Sequence, residues 1–174
     1  MFWFDLIVKI VRVLHSDESP RALAFGFALG SIIGWTPLLS AHNLIVFALI
    51  LLLNVSISAA FFALFLFSAF AYFFDPLFHS LGYFLLVKVD FLKPLWTFLY
   101  NIPVAPLFHL NNTVVLGSLL ISLVMFMPVY FGFLKGVGLY KLHLREKVEK
   151  WKVLKIMKAN GIYKLYHKIR SMGV

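Results

Sequence analysis

The chain contains no cysteine. Disulfides, thiolate metal sites and cysteine nucleophiles are thereby excluded. Charge is scarce as well. Asp, Glu, Lys and Arg make up 13% of the 174 residues, about half the share of an average soluble domain. None of the four occurs at positions 22–74, a run of 53 residues. The space is filled by apolar side chains: 62% of residues are hydrophobic and 18% aromatic. A soluble globular domain, a disordered chain and a disulfide scaffold do not have this composition. A single integral membrane domain with a small aqueous portion does.

The charge that is present is mostly positive, 16 Lys and Arg against 7 Asp and Glu, for a net +9. Ten of the 16 basic residues lie from Lys141 to Arg170, opposed there only by Glu146 and Glu149. A basic cluster directly after the last apolar run reads as a cytoplasmic flank against anionic headgroups, not as a nucleic-acid face. Lys141, Arg145, Lys147, Lys150, Lys152 and Lys155 are the candidate membrane-surface contacts. Leu144, Val148, Trp151 and Leu154 supply an apolar stripe. Arg145–Glu149 and Glu146–Lys150 are opposite charges four residues apart. Residues 141–174 thus read as a basic amphipathic helical tail, for which a partner protein is the competing contact.

At the other end, Lys9 follows an apolar-aromatic start and no small-residue cleavage site appears, so a signal peptide is not expected. Trp3, Leu6, Ile7, Ile10 and Leu14 share one helical face, while Asp5, Lys9 and Arg12 share another. Residues 1–15 read as an amphipathic helix in the membrane interface, with an ordinary packed helix as the alternative.

The membrane domain is expected over 16–140. Ser19 is placed to cap a helix that has Pro20 at its first position. A continuous helix over 22–74 would be roughly 80 Å long, against a hydrocarbon core of about 30 Å. The run must therefore turn back on itself, and Gly34-Trp35-Thr36-Pro37 and Asn54 are the expected breaks. The segments 22–35 and 38–53 are short for spans. They read as a re-entrant helical hairpin over 22–53, with two short tilted crossings as the competitor. Residues 55–74 make a good span that Asp75-Pro76 is expected to end. Lys88, Asp90, Lys93, Pro94, Pro103 and Pro106 interrupt 76–112, which reads as short periplasmic or interfacial helices anchored by Trp96 and Tyr100. A second good span covers 113–134, with Pro128 and Gly132 as expected kinks. The fold class is therefore an all-α integral membrane protein with a hairpin, two full transmembrane helices, interfacial helices and a basic tail. The positive-inside rule puts both termini in the cytoplasm.

Candidate functional residues concentrate at the first break. Gly34, Trp35, Thr36 and Pro37 form it, and His42 and Asn43 lie just past it in an uncharged run. An ionisable residue inside a membrane segment is a functional candidate by default, although a hydrogen-bonded structural role competes. Gly26, Gly30 and Gly34 form a small-residue stripe suited to close helix packing. Asp75 and His79 are a candidate polar pair. No HExxH, GxSxG, phosphate loop or zinc spacing occurs, so no catalytic set, metal or cofactor is expected. Gly26, Leu29, Ser31 and Pro37 recur as Gly117, Leu120, Ser122 and Pro128 at a constant offset, a pattern also produced by chance in an apolar alphabet.

The strings SPRALAFGFALGSIIGWTPLLSAHN, DPLFHSLGY and NIPVAPLFHLNNTVVLGS, which cover most of 19–118, resemble the bacterial membrane family called domain of unknown function 2062. The last string resembles a gammaproteobacterial branch. The resemblance implies a small inner-membrane protein whose gene neighbours a large envelope protein with one membrane anchor. It thereby implies a role in phospholipid movement between membranes. The expected function is a non-enzymatic subunit that contacts membrane lipids and docks such a partner. A small secondary transporter or channel built on the broken helices is the alternative, and a lipid-modifying enzyme would need clustered ionisable groups.

Overall fold

The computed structural model describes residues 18–144. The expected helix at 1–15 and the tail from Arg145, with Lys147, Lys150, Lys152 and Lys155, lie outside them. Among the described residues every element is helical: α1 Pro20–Trp35, α2 Ala41–Leu52, α3 Ile57–Tyr83, α4 Lys93–Tyr100 and α5 Thr113–Leu139. Two helical stretches, Ile57–Lys88 and Thr113–Leu142, are long and apolar enough to cross a membrane.

The helix starts follow from their caps. The Ser19 hydroxyl accepts the Ala22 N–H at 3.1 Å, with Pro20 at the first position where its missing N–H costs nothing. Ser56 accepts the Ala59 N–H at 3.2 Å to open α3. The Asn112 side chain accepts the N–H groups of Val114 and Val115 to open α5. The expected end at Asp75-Pro76 is absent, and α3 runs through Pro76 to Tyr83. Proline removes one donor from the helical ladder. The missing bond falls at the Tyr72 carbonyl, and the helix continues through a π turn at Phe84–Lys88. Pro128 likewise lies inside α5 without ending it.

Glycine sets how the helices pack. A Cβ on Gly26 would collide with the Ser56 carbonyl, and one on Gly30 with the Ala60 carbonyl. One on Gly34 would lie 2.8 Å from the Leu64 oxygen. Positions four apart on α1 thus meet positions four apart on α3 in rising order, so the two helices run parallel with backbones in contact. Gly82 meets the Thr113 carbonyl and Gly117 the Phe78 carbonyl, which makes α3 and α5 antiparallel. α1 lies between them. Phe27 stacks on Phe133 at 3.9 Å between centroids, and Phe25 meets Phe126 edge-on at 5.5 Å. Leu23, Phe27, Ala59, Ala63 and Val137 form the central core.

α2 packs back along α1 through Val46 and Ile50, which join Leu29, Ile32, Ile33 and Ala60. The chain then returns to its starting level, where the Ser56 N–H donates to the Ala22 carbonyl at 3.0 Å. The α1–α2 hairpin therefore begins and ends at one end of α3. Its turn follows Gly34, which faces Leu64, about two turns into α3; roughly five further turns of α3 extend beyond. At the start end, Lys141 Nζ donates to the Glu18 carbonyl at 2.8 Å, joining the end of α5 to the beginning of α1.

The stretch after α3 folds into short pieces, as its prolines and charges predict. Asp90 opens a 3-10 turn, with Lys93 Nζ 2.6 Å from its carboxylate. The Lys93 hydrogen bond, and then its charge, hold the Asp90 carboxyl below the usual carboxylate range. Trp96 Nε1 donates to the Leu85 carbonyl at 3.1 Å, fixing α4 against the end of α3. A second 3-10 turn, Ala105–Phe108, touches α2, and His109 caps it in the left-handed region at φ 52°.

Candidate functional site

The break after α1 is built by Pro37. A residue before proline is pushed to extended backbone, and Thr36 takes φ −99°, ψ 153°. Pro37 has no N–H, so the Ile33 carbonyl loses its ordinary helical donor. The Thr36 N–H still reaches the Ile32 carbonyl at 3.2 Å. The Thr36 hydroxyl lies 2.9 Å from that same oxygen and 2.8 Å from Asn43 Oδ1. A hydroxyl has one proton to donate. With Ile32 already served by a backbone N–H, donation to Asn43 Oδ1 satisfies both acceptors. Asn43 Nδ2 donates in turn to the Pro37 carbonyl at 2.9 Å, and the Asn43 N–H reaches the Ser40 carbonyl at 2.9 Å. Thr36 and Asn43 are 4% and 5% exposed. A buried two-residue clamp therefore ties the end of α1 to the first turn of α2 and supplies a donor to the Pro37 carbonyl at the break.

Gly34, Thr36, Pro37 and Asn43 are thus brought together at one turn. Trp35 leaves it in another direction, its ring 5.0 Å from Phe67, 5.1 Å from Phe74 and 5.7 Å from Phe78. It fastens the end of α1 to the continuing length of α3. His42 is 6% exposed, and neither ring nitrogen has a hydrogen-bond partner among the described residues; Trp35 Nε1 is also buried without one. Unpaired buried polar atoms are costly, so the turn holds three nitrogens with unused hydrogen-bonding capacity.

Asp75 and His79 are one helical turn apart on α3, but no hydrogen bond or ion pair joins them among the described residues. His79 Nδ1 pairs with Thr113 Oγ1 at 2.7 Å instead. The physical reason is the close Gly82–Thr113 crossing, which carries the first residue of α5 onto the α3 surface beside His79. Lys141 does not stand alone on a surface either, since it donates to the Glu18 carbonyl.

Beside the clamp lies an open groove of about 550 Å³ between the hairpin turn and the 105–109 segment. Leu38, Leu39, Leu44, Phe47, Leu64 and Leu107 give it apolar walls; Asn43 and His109 add polar atoms. Leu38, Leu39 and Leu107 carried no functional expectation. Their meeting depends on a contact across some 70 residues of chain, for which neither periodicity nor composition holds a signal. Among the described residues no group of three or more His, Asp or Glu is placed to hold a metal ion.

Residues 7–146 match the family model described as an uncharacterized protein conserved in bacteria, DUF2062. The chain belongs to this family. The match runs from the first expected helix through the hairpin, both long helices and the connection between them. No curated protein and no solved structure matches the chain.

Proposed function

We propose that this DUF2062 protein is a non-enzymatic, multi-pass subunit of the bacterial inner membrane, with both termini cytoplasmic. In this reading it docks a larger membrane-anchored envelope protein and hands it phospholipid. The NIPVAPLFHLNNTVVLGS string supports placing it in a gammaproteobacterial branch of the family. α3 and α5 are the two full crossings, and α1–α2 is a re-entrant hairpin entered from the cytoplasmic side.

One observation carries the docking reading: the hairpin is half-length and its outer helix is bare. α2 uses one narrow stripe to hold α1, while Leu39 and Leu52 are 95% and 82% exposed and Leu44, Ile45 and Leu51 are exposed with them. Because the hairpin starts and ends at one end of α3, the later turns of α3 extend past it, and Phe70, Tyr72 and Phe73 there are exposed. In a bilayer, association of helices rests on packing and hydrogen bonds, not on hydrophobicity alone. A stepped surface held open by a polar clamp gives a partner's single helix shape to recognise. Purification of the tagged chain from native membranes tests this: a larger membrane-anchored protein is expected in stoichiometric amount. Pro37→Ala and Gly34→Leu are expected to insert normally and lose it. A chain that always purifies alone, or mutants that assemble normally with normal envelope lipid balance, overturns the reading.

The transporter alternative is favoured by one specific observation. Ser31 and Ser122, the matching serines of the repeat, are both buried and both donate to the carbonyl three residues back, Ala28 at 2.7 Å and Leu119 at 2.8 Å. Gly26 and Gly117 both press on α3, and the helices that carry them run in opposite directions. Inverted repeats with broken helices are the frame of many transporters. Proton- or ion-driven solute uptake by vesicles holding the chain alone would select this alternative over the docking subunit.

A further inference from the structure

The connection between α3 and α5 carries a helix with three distinct sides. α4 is short, but the 3-10 turn before it and the hydrogen-bonded turn after it extend the helical path from Asp90 to Ile102. Phe91, Leu95, Phe98 and Ile102 recur at steps of four, three and four, which places them on one side of a helix. All four are exposed, Phe91 to 81%. Asp90, Lys93, Thr97 and Asn101 form a second side, polar and also exposed. Trp96 and Leu99 form the third, which is half-buried. Trp96 Nε1 bonds the Leu85 carbonyl, and both side chains line a small cavity of about 220 Å³ with Leu86, Leu110 and Thr113. At 3.6 residues per turn the three sides lie roughly a third of a turn apart. α4 is also the most strongly amphipathic α-helix among the described residues.

Position decides what meets the apolar side. The apolar stretch Ile57–Lys88 has 32 residues and exceeds the roughly 20 that a hydrocarbon core takes, so its last turns lie at headgroup level. Only Val89 separates it from the 3-10 turn at Asp90, and the Trp96–Leu85 bond holds α4 against its end. Thr113, which opens the second such stretch, lines the same cavity as Trp96. The connection is thus fixed at both ends to the two crossings. Phe84, in the π turn that ends the first, is exposed and apolar, so lipid-facing surface reaches the foot of α4. At that depth a helix with one side on protein, one polar side and one apolar side settles along the bilayer plane. Its polar side meets water and its apolar side sinks toward the acyl chains. We propose that Phe91, Leu95, Phe98 and Ile102 bind the lipid interface on the side of residues 84–112 and make α4 an in-plane anchor. This rests on the membrane placement of α3 and α5 given above. Trp96, expected from the sequence to anchor this stretch in lipid, fastens α4 to α3 instead.

The test uses the full chain in vesicles of phosphatidylethanolamine and phosphatidylglycerol. Leu95→Cys, Thr97→Cys and Phe98→Cys, each in a chain that has no other cysteine, carry the fluorophore bimane. Val124→Cys, exposed on α5, is the control inside a crossing. Quenching by brominated phospholipid is read against quenching by aqueous iodide. Labels at 95 and 98 are expected to emit at shorter wavelength than the label at 97 and to be quenched by brominated lipid, with iodide quenching 97 alone. Iodide quenching at 95 and 98 as strong as at 97 overturns the anchor. Protection of 95 and 98 from both quenchers overturns it as well, because a protein surface would then cover them. Should Phe98→Cys fail to insert, Leu95→Cys carries the same reading. Absence of brominated-lipid quenching at 124 overturns the membrane placement itself, whereas quenching at 124 with none at 95 and 98 overturns the anchor alone.

Discussion

α1 and α2 are halves of one hairpin, both strongly apolar and, past Arg21 in the first turn of α1, both uncharged, yet their environments are opposite. α1 buries Leu23 through Gly34 almost without a gap, whereas α2 buries only His42, Asn43, Val46 and Ile50. Hydrophobicity does not account for the difference, since the more apolar-looking helix, ALILLL at its end, is the exposed one. Glycine does. Gly26, Gly30 and Gly34 let α1 settle onto the α3 backbone, and α2 has no glycine at all. Small residues decide which helix becomes core when every helix is apolar.

The largest effect is expected where that difference is made. Gly30→Leu places a branched side chain against the Ala60 backbone, which cannot yield. Overpacking of this kind costs about 1–3 kcal/mol or more, and loss of the monodisperse peak in size-exclusion chromatography is expected. Gly132→Ala is the counter-test: nothing lies within 4 Å of its added carbon, and a helical glycine replaced by alanine gains about 0.5–1 kcal/mol. A rise of a few degrees in melting temperature is the expected readout, and equal damage from both substitutions would break the comparison.

The next effect is at the clamp. Asn43→Leu removes the donor to the Pro37 carbonyl and the acceptor of the Thr36 hydroxyl. Leaving such groups unsatisfied costs about 1–3 kcal/mol, so a lower melting temperature is expected together with loss of partner capture. Asn112→Ala removes the cap of α5 and is expected to cost about 1 kcal/mol with capture retained. The smallest effect is expected on the exposed face of α2: Leu52→Ala changes stability by no more than about 0.5 kcal/mol, read as a nearly unmoved melting temperature, and sharpens the comparison with α1.

Much of this was legible in the sequence. The charge-free run forced a fold-back, Pro37 and Asn54 marked where, and Ser19-Pro20 fixed the start of α1. The glycine stripe announced close packing but not its partner, because the α1–α3 register is a tertiary fact. The continuation of α3 through Pro76 was hidden, since a proline ends a helix only when its neighbours leave the lost hydrogen bond uncompensated. Thr36 and Asn43 were legible as candidates, but their mutual bond depends on the turn conformation. The groove was invisible, because Leu38 and Leu107 carry no local sign of each other.

The central claim is that α1–α2 turns back near the middle of the bilayer. A single cysteine at Leu39, introduced into a chain that has none, can carry a nitroxide spin label in reconstituted vesicles. Electron paramagnetic resonance then compares collision with apolar oxygen and with a polar nickel complex. The account predicts high oxygen and negligible nickel accessibility at 39, deeper than the same label at Leu52 or Leu77. High nickel accessibility at 39, with thiol labelling from the periplasmic side, would show a hairpin that crosses fully and would contradict it.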